Sequence, residues 1–127
     1  ARQGGFVSHW LWRIPVTLLR SRFHVDLLLR RTEAAGGFAT VVVKGDETSG
    51  NILVQCTERG RPGPLLERRF SADGHYIWEA VGPDNPNDEE SRADYRDRRR
   101  KADPDMWLIE LDIADAPQLV AEWAALT

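Results

Sequence analysis

Two short apolar runs on either side of a turn-rich segment constrain the fold of this chain most. Residues 38–43 (FATVVV) and 52–56 (ILVQC) are rich in β-branched side chains, which suit a pleated and buried surface. The intervening residues 44–51 contain two glycines, an aspartate, a serine and an asparagine. This pattern predicts a β-hairpin whose loop is longer than the two-residue minimum, and this hairpin is expected to organise the fold.

Length and composition describe an ordinary domain of 127 residues, with 42% hydrophobic and 29% charged residues. The formal net charge of −3 argues against a protein adapted as a whole to polyanions, because such proteins are usually basic. Cys56 is the single cysteine, so no intrachain disulfide can form. Its place in a strand pattern predicts a small buried hydrophobe in a reducing compartment, and we expect the protein to be cytoplasmic.

Residues 1–19 differ in character from the rest of the chain. The stretch is apolar, but a histidine, an arginine and a proline interrupt it, and no small-residue cleavage site follows. It is too short and too interrupted to span a membrane. Trp10, Trp12 and Ile14 alternate with other residues, which leaves a short extra strand, a membrane-surface anchor and a loosely docked tail open. We assign 1–19 as an N-terminal tail or extension and 20–127 as one domain.

Periodicity and turn residues predict eight elements in the order α-β-β-β-β-α-β-α. The predicted bounds are a helix at 21–35, strands at 38–43, 52–56, 65–70 and 75–81, a helix at 88–102, a strand at 106–111 and a helix from 115. This order indicates a single α+β domain: a mostly antiparallel sheet of about five strands with helices packed on it. The strands 38–43 and 106–111 are the most apolar, so we expect them to be central neighbours beneath the first helix.

Local signals make the expectations for individual elements specific. Ser21 is predicted to cap the first helix, and the Gly36–Gly37 pair to end it. The apolar stripe of that helix is predicted to include Phe23, Leu27, Leu28, Arg31 and Ala34, and Val25 and Leu29 are predicted to widen it. Residues 57–64, with two glycines and two prolines, are predicted to be a turn. Asp73–Gly74 predicts a tight connection between the third and fourth strands.

Catalytic and ligand motifs are not found. His9, His24 and His75 lie in separate segments without metal-ligand spacing, and no glycine-rich segment matches a phosphate-binding loop. No serine has a recognisable nucleophile context. The acidic residues beside an apolar strand are Asp103, Asp105, Glu110 and Asp112, which are expected to be solvated or paired with arginines. The sequence therefore predicts no catalytic residue, cofactor, metal or small-molecule ligand.

The helix at 88–102 is the candidate interaction surface. Acidic residues gather at its start and basic residues at its end, as the helix dipole favours. The candidate residues are Arg92, Tyr95, Arg96, Arg99 and Arg100. A solvated, salt-bridged helix is one interpretation, contact with a protein is another, and phosphate contact with base stacking is a third. We predict a small non-catalytic protein that binds another protein or itself; nucleic-acid binding through this helix and an enzyme without a recognisable motif are the alternatives.

Several segments also resemble a known family. They are 23–31 (FHVDLLLRR), 34–43 (AAGGFATVVV), 44–46 (KGD), 50–55 (GNILVQ) and 103–110 (DPDMWLIE). Together they resemble the uncharacterised alphaproteobacterial family catalogued as domain of unknown function 1491, over about residues 20 to 112. The resemblance implies one compact cytoplasmic domain. It implies no activity, cofactor or site residue.

Overall fold

The computed structural model describes residues 20–85 and 87–125, so the predicted N-terminal tail at 1–19 lies outside the described residues. The elements are α1 (Ser21–Ala34), β1 (Phe38–Val43), β2 (Ile52–Glu58), β3 (Arg61–Phe70), β4 (Tyr76–Val81), α2 (Glu89–Ala102), β5 (Trp107–Asp112) and α3 (Ala116–Ala125). Their order confirms the prediction. No helix in these two ranges combines the length and apolar character needed to cross a bilayer.

The five strands form one sheet in the order β1-β5-β2-β3-β4. Three neighbouring pairs are antiparallel, and β2 with β5 is the parallel one. The predicted α+β class and mostly antiparallel sheet are therefore confirmed. The parallel pair requires a crossover, which β3, β4 and α2 supply.

The predicted hairpin of β1 and β2 is wrong, because β5 lies between these strands. Residues 44–51 wrap around the start of β5 instead of closing a tight turn. The Asp46 amide donates to the Asp105 carbonyl at 2.8 Å, and the Trp107 amide donates to the Asn51 carbonyl at 2.7 Å. The glycines and the asparagine indicated a turn correctly, but an eight-residue loop is long enough to straddle a third strand.

The predicted central position of β1 is also wrong, although its neighbour is β5 as expected. β1 is an edge strand, and Phe38 and Val42 are 78% and 53% exposed. The middle strand of the sheet is β2, whose residues are buried from Ile52 to Thr57. Apolar composition by itself does not show whether a strand lies at the centre of a sheet or at its edge.

Helices cover the two faces of the sheet unequally. The larger core lies beneath α1 and α3, where Val25 and Leu28 of α1 meet Val120 and Trp123 of α3 over Ile52, Val54, Ile109 and Leu111. The opposite face, called the α2 face here, carries a smaller cluster of Leu53, Leu65, Met106 and Leu108. Tyr95 of α2 packs against that cluster. Within the part of the chain that the structure describes, one helix therefore covers this face of the five-stranded sheet.

The inward face of α1 matches the predicted stripe only in part, at Val25 and Leu28. Its buried residues are Ser21, His24, Val25, Leu28 and Thr32, whereas Phe23 is 56% exposed. The predicted cap at Ser21 is wrong as well: Arg20 occupies the cap position without a side-chain bond, and the Ser21 hydroxyl donates to the Gly50 carbonyl. The inward face includes the polar residues Ser21, His24 and Thr32. The buried stripe is therefore rotated from the one that apolar spacing predicts.

The end of α1 follows the prediction. Gly36 has φ +93°, and its amide donates to the Glu33 carbonyl at 3.1 Å. The Gly37 amide donates to the Thr32 carbonyl at 2.9 Å. These two bonds form a Schellman motif, which satisfies carbonyls that the end of a helix leaves unpaired.

The predicted turn at 57–64 is much shorter in the structure. β2 continues to Glu58 and β3 begins at Arg61, so only Arg59 and Gly60 connect them, with φ of 52° and 77°. Two positive φ values are typical of the type I′ turn that joins antiparallel strands. The register shifts between Gln55 and Thr57, opposite the proline-containing part of β3. This irregularity accommodates residues that usually end a strand.

Candidate interaction surface

The helix α2 begins one residue later than predicted, because Asp88 is its cap. The Asp88 carboxylate accepts from the Ser91 amide at 3.1 Å and from the Ser91 hydroxyl at 2.9 Å. These bonds hold the pKa of Asp88 below its ordinary value. Acidic residues in the first turn and basic residues in the last turn oppose the helix dipole, which stabilises a helix that has little apolar surface.

Two of the five candidate residues attach α2 to the sheet. Arg99 donates two hydrogen bonds to the Glu67 carboxylate of β3, at 3.1 and 2.6 Å, and a third to the Tyr95 hydroxyl at 2.8 Å. Burial alone raises the pKa of Glu67, but the bonds and charge of Arg99, together with the Arg69 charge and the Asn51 hydrogen bond, leave that pKa below its ordinary value. The bonds to Glu67 also raise the pKa of Arg99. Tyr95 and Arg99 therefore have a structural role.

The other three candidate residues lie along the side of α2 that faces β1 and β5. Arg92 is 4% exposed, Arg96 pairs with Glu89 at 2.9 Å, and Arg100 is exposed. Their spacing of four residues places them in one row. The five candidate residues therefore divide into a row that lines a groove and a pair that holds the helix in place.

This groove, called the α2–β1 groove here, runs between α2 and the edge strand. A cavity of about 300 Å³ at one end is lined by Val42 of β1, Leu108 and Glu110 of β5, and Arg92 and Arg96 of α2, among others. A second cavity of about 450 Å³ continues toward the end of α2, where its lining includes Val43, Lys44, Met106 and Arg100. The groove thus has a mixed floor with Leu108 and Met106 beside Gln55 and Glu110, a helical wall that carries Glu89 and Asp97 as well as the arginines, and an open side at the β1 edge.

The outer edge of β1 is the second part of the surface. Within residues 20–85 and 87–125, β1 pairs with β5 alone, so its other side offers unpaired backbone groups. β1 contains no charged residue. At the other edge of the sheet, β4 has Glu79 in its middle, paired with Arg69 of β3 at 3.1 Å. Natural sheets commonly protect their edges with charge, and β1 lacks this protection.

A buried polar cluster on the opposite face was not predicted. Arg68 of β3 donates to the His24 ring nitrogen Nδ1 and to the Ser21 hydroxyl, both at 3.1 Å, and its guanidinium lies 4.4 Å from the centre of the Tyr76 ring. Burial, together with the Arg68 charge, lowers the pKa of His24 to about 4. In the sequence, the alternation of β3 places Arg68 on the same face as Leu66. This was the one signal that could have indicated a buried arginine. We interpret the cluster as structural.

The remaining residues considered for chemistry do not assemble into a site. Cys56 is 1% exposed, as predicted, and burial raises the pKa of its thiol to about 12. Asp105 precedes β5 and Asp112 ends it, so the four acidic residues near this strand are spread along its length. The Asp112 carboxylate accepts from the amides of the β2–β3 turn, at 2.7 and 3.0 Å. No group of metal-ligating side chains occurs within the described ranges.

Comparison with known proteins gives a consistent family. The family model described as protein of unknown function (DUF1491) matches residues 19–121. A crystal structure of a DUF1491 family protein from Caulobacter crescentus CB15 is 33% identical, with a TM-score of 0.67, over 78% of this chain and 92% of that one. An NMR structure of a DUF1491 family protein from the same organism is also 33% identical, with a TM-score of 0.66, over 78% and 89%.

The solution structure of protein Atu0922 from A. tumefaciens is 28% identical, with a TM-score of 0.62, over 76% of this chain and 87% of that one. No curated protein matches the chain. The family match covers most of the sequence, and the solved structures share its fold. The resemblance noted in the sequence is thereby confirmed, and the chain belongs to the DUF1491 family of proteins of unknown function.

Proposed function

We propose that this protein is a non-catalytic interaction domain that binds a protein chain along the outer edge of β1, with which no other described strand pairs. The observation that carries the proposal is an apolar, charge-free edge strand with large exposed side chains, Phe38 and Val42. An unpaired strand edge presents a row of backbone donors and acceptors that an extended segment can pair with. Exposed apolar side chains next to that row favour association, because binding removes their surface from water.

The α2–β1 groove supports the same proposal from the side chains. Successive residues of a strand added to β1 would alternate between the two faces of the sheet. Those on the α2 face would lie beside Val42, over the open side of the groove, within reach of its helical wall. In this arrangement Arg92, Arg96 and Arg100 contribute the wall of the docking surface, whereas Tyr95 and Arg99 hold α2 in position.

Protein binding is also the function predicted from the sequence, but the binding surface proposed here centres on β1 and not on α2. Arg99 is committed to Glu67 and Arg96 to Glu89, so fewer guanidinium groups are available for phosphate than the sequence alone indicates. We expect the protein to act in the cytoplasm, since its single thiol is a buried core group.

Substitution on the two sheet edges tests the proposal. A tagged copy of the chain would be used to recover bound protein, whether an untagged copy of itself or another protein, from native lysate at physiological salt. We expect Val42→Lys to reduce recovery at least tenfold, because it places a charge on the docking edge. Ile77→Lys on β4, a position 41% exposed, is the matched control and is expected to leave recovery unchanged.

Both variants should keep the thermal unfolding midpoint of the parent chain, since both positions are exposed on edge strands. Equal recovery with Val42→Lys and the parent chain would contradict the proposal. So would a parent chain that recovers no protein and stays monomeric at all concentrations.

A further inference from the structure

We infer that the chain that docks on β1 is a second copy of this protein, with the two β1 strands antiparallel about a two-fold axis beside Thr40. The inference rests on the proposed function and adds the identity of the partner. It would join two five-stranded sheets into one continuous sheet of ten strands. Two-fold dimers are the commonest closed assemblies of soluble proteins.

The charge pattern of the two edges favours a self-pair at β1. In a two-fold pair the residue on the axis faces its own copy, and the residues beside it lie diagonally near theirs, so a charge at or next to the axis lies close to the same charge. β1 contains no charge and is compatible with its own copy. Glu79 stands in the middle of β4, where self-pairing would bring two carboxylates close together. The edge that tolerates a second copy is therefore also the edge that exposes apolar side chains.

The side chains of β1 complement each other in one register. Phe38 and Thr40 pair with Asp112 and Glu110 of β5 and share the α2 face with them, and Val42 lines the groove on that face. With Thr40 opposite the partner's Thr40, Phe38 lies opposite the partner's Val42, the residue at which the register of β1 with β5 shifts, and symmetry repeats this pair. The two most exposed apolar residues of the strand then cover each other twice. Thr–Thr and aromatic–β-branched pairs are both favourable across strands.

Other registers lose these contacts. A shift of one residue would place side chains of one copy opposite side chains on the other face, which strand pairing does not allow on a half-buried sheet. Moving the axis to Val41 would carry Phe38 past Val43 at the end of the partner's β1 and leave its ring uncovered. The centre at Thr40 is therefore the register that the exposed residues specify.

A cysteine at the proposed axis provides the test. In Thr40→Cys, the two facing positions would have Cα atoms about 4.5 to 5.5 Å apart, within the range that a disulfide spans. The native Cys56 is 1% exposed, so it does not compete for cross-linking. We expect mild oxidation of the purified full-length variant to give a species of about twice the 14.4 kDa monomer mass. Ile77→Cys on β4 is the matched control and is expected to remain monomeric.

Light scattering of the unmodified chain provides the second measurement. We expect the mean mass to rise toward the dimer as concentration increases, and Val42→Lys to abolish the rise. A pair of six-residue strands is a small interface, so the dissociation constant is expected to be about micromolar or weaker. A monomer at millimolar concentration, with no more oxidised dimer from Thr40→Cys than from Ile77→Cys, would overturn the inference.

The same measurements separate the other occupants of this edge. If the purified chain stays monomeric while Thr40→Cys cross-links to a different protein in lysate, the inference fails and the proposed function stands. If the chain is monomeric and the thiol introduced by Thr40→Cys resists a small thiol reagent in purified protein, the edge is covered by the chain itself, and both fail.

Discussion

At the scale of single residues, the structure uses its arginines to connect elements. Arg99 joins α2 to β3 through Glu67, and Arg68 joins β3 to α1 through His24 and Ser21. The composition of α2 indicated a solvated helix or a binding surface, and neither interpretation includes an arginine bonded to a buried carboxylate of a strand. The partners of an arginine depend on tertiary contacts, and for this reason Arg99 and Arg68 could not be assigned from the sequence.

The pairing of His24 with Arg68 makes the stability of the protein depend on pH. Folding lowers the pKa of His24 from 6.5 to about 4, because the ring is buried beside a positive charge. The unfolded chain therefore binds a proton below pH 6.5 that the folded chain does not bind until about pH 4. We expect the free energy of unfolding to fall as pH is lowered through this window, by at most about 3 kcal/mol.

His24→Asn isolates this contribution from that of the carboxylates. The amide oxygen of asparagine can accept the Arg68 hydrogen bond but does not titrate in this range. Urea unfolding of both proteins between about pH 4 and 7 is the measurement. The stability difference between parent and variant should shrink or reverse as pH falls. A difference that is constant with pH would show that His24 is not held neutral by the fold.

At the scale of elements, local signals predicted the types of the elements and their order along the chain. Long-range pairing decides which strands are neighbours and which strand lies at an edge. The Schellman ending of α1 and the tight β3–β4 connection depend on a few adjacent residues, and both follow the prediction. The parallel pairing of β2 with β5 joins segments about fifty residues apart and has no local signal. For the same reason the sequence identified β1 as apolar but did not show that it is an edge, and the interaction surface was placed on α2 alone.

The loop that wraps the start of β5 gives a prediction at this scale. A Cβ added at Gly50 would collide with the Asp105 carbonyl oxygen, which is backbone and cannot move aside. We expect Gly50→Ala to destabilise the protein by about 2 to 3 kcal/mol through this overpacking. Thr48→Ala, at an exposed position of the same loop, is the control and should change stability by less than about 0.5 kcal/mol. Chemical denaturation measures both, and equal stabilities would contradict the wrapped loop.

At the scale of the whole molecule, the unequal covering of the sheet explains where a partner can dock. Among the described elements, two helices cover one face and α2 covers the other, and the groove beside α2 opens toward β1. An apolar edge strand next to a half-covered face is costly in a protein that acts alone, because it invites association. Binding along β1 therefore accounts both for the exposed residues of the strand and for the composition that made it resemble a central strand.

The most direct measurement of this claim is the ¹H–¹⁵N correlation spectrum of the isotope-labelled full-length chain, recorded as its concentration is raised. Strand addition at β1 predicts that amide shifts or line broadening gather on Phe38–Val43 and on Leu108 and Arg96 beside the groove, and that Val42→Lys removes them. Tyr76–Val81 at the opposite edge should stay unchanged. Spectra that do not change with concentration, or changes that gather on Tyr76–Val81 instead, would contradict the account.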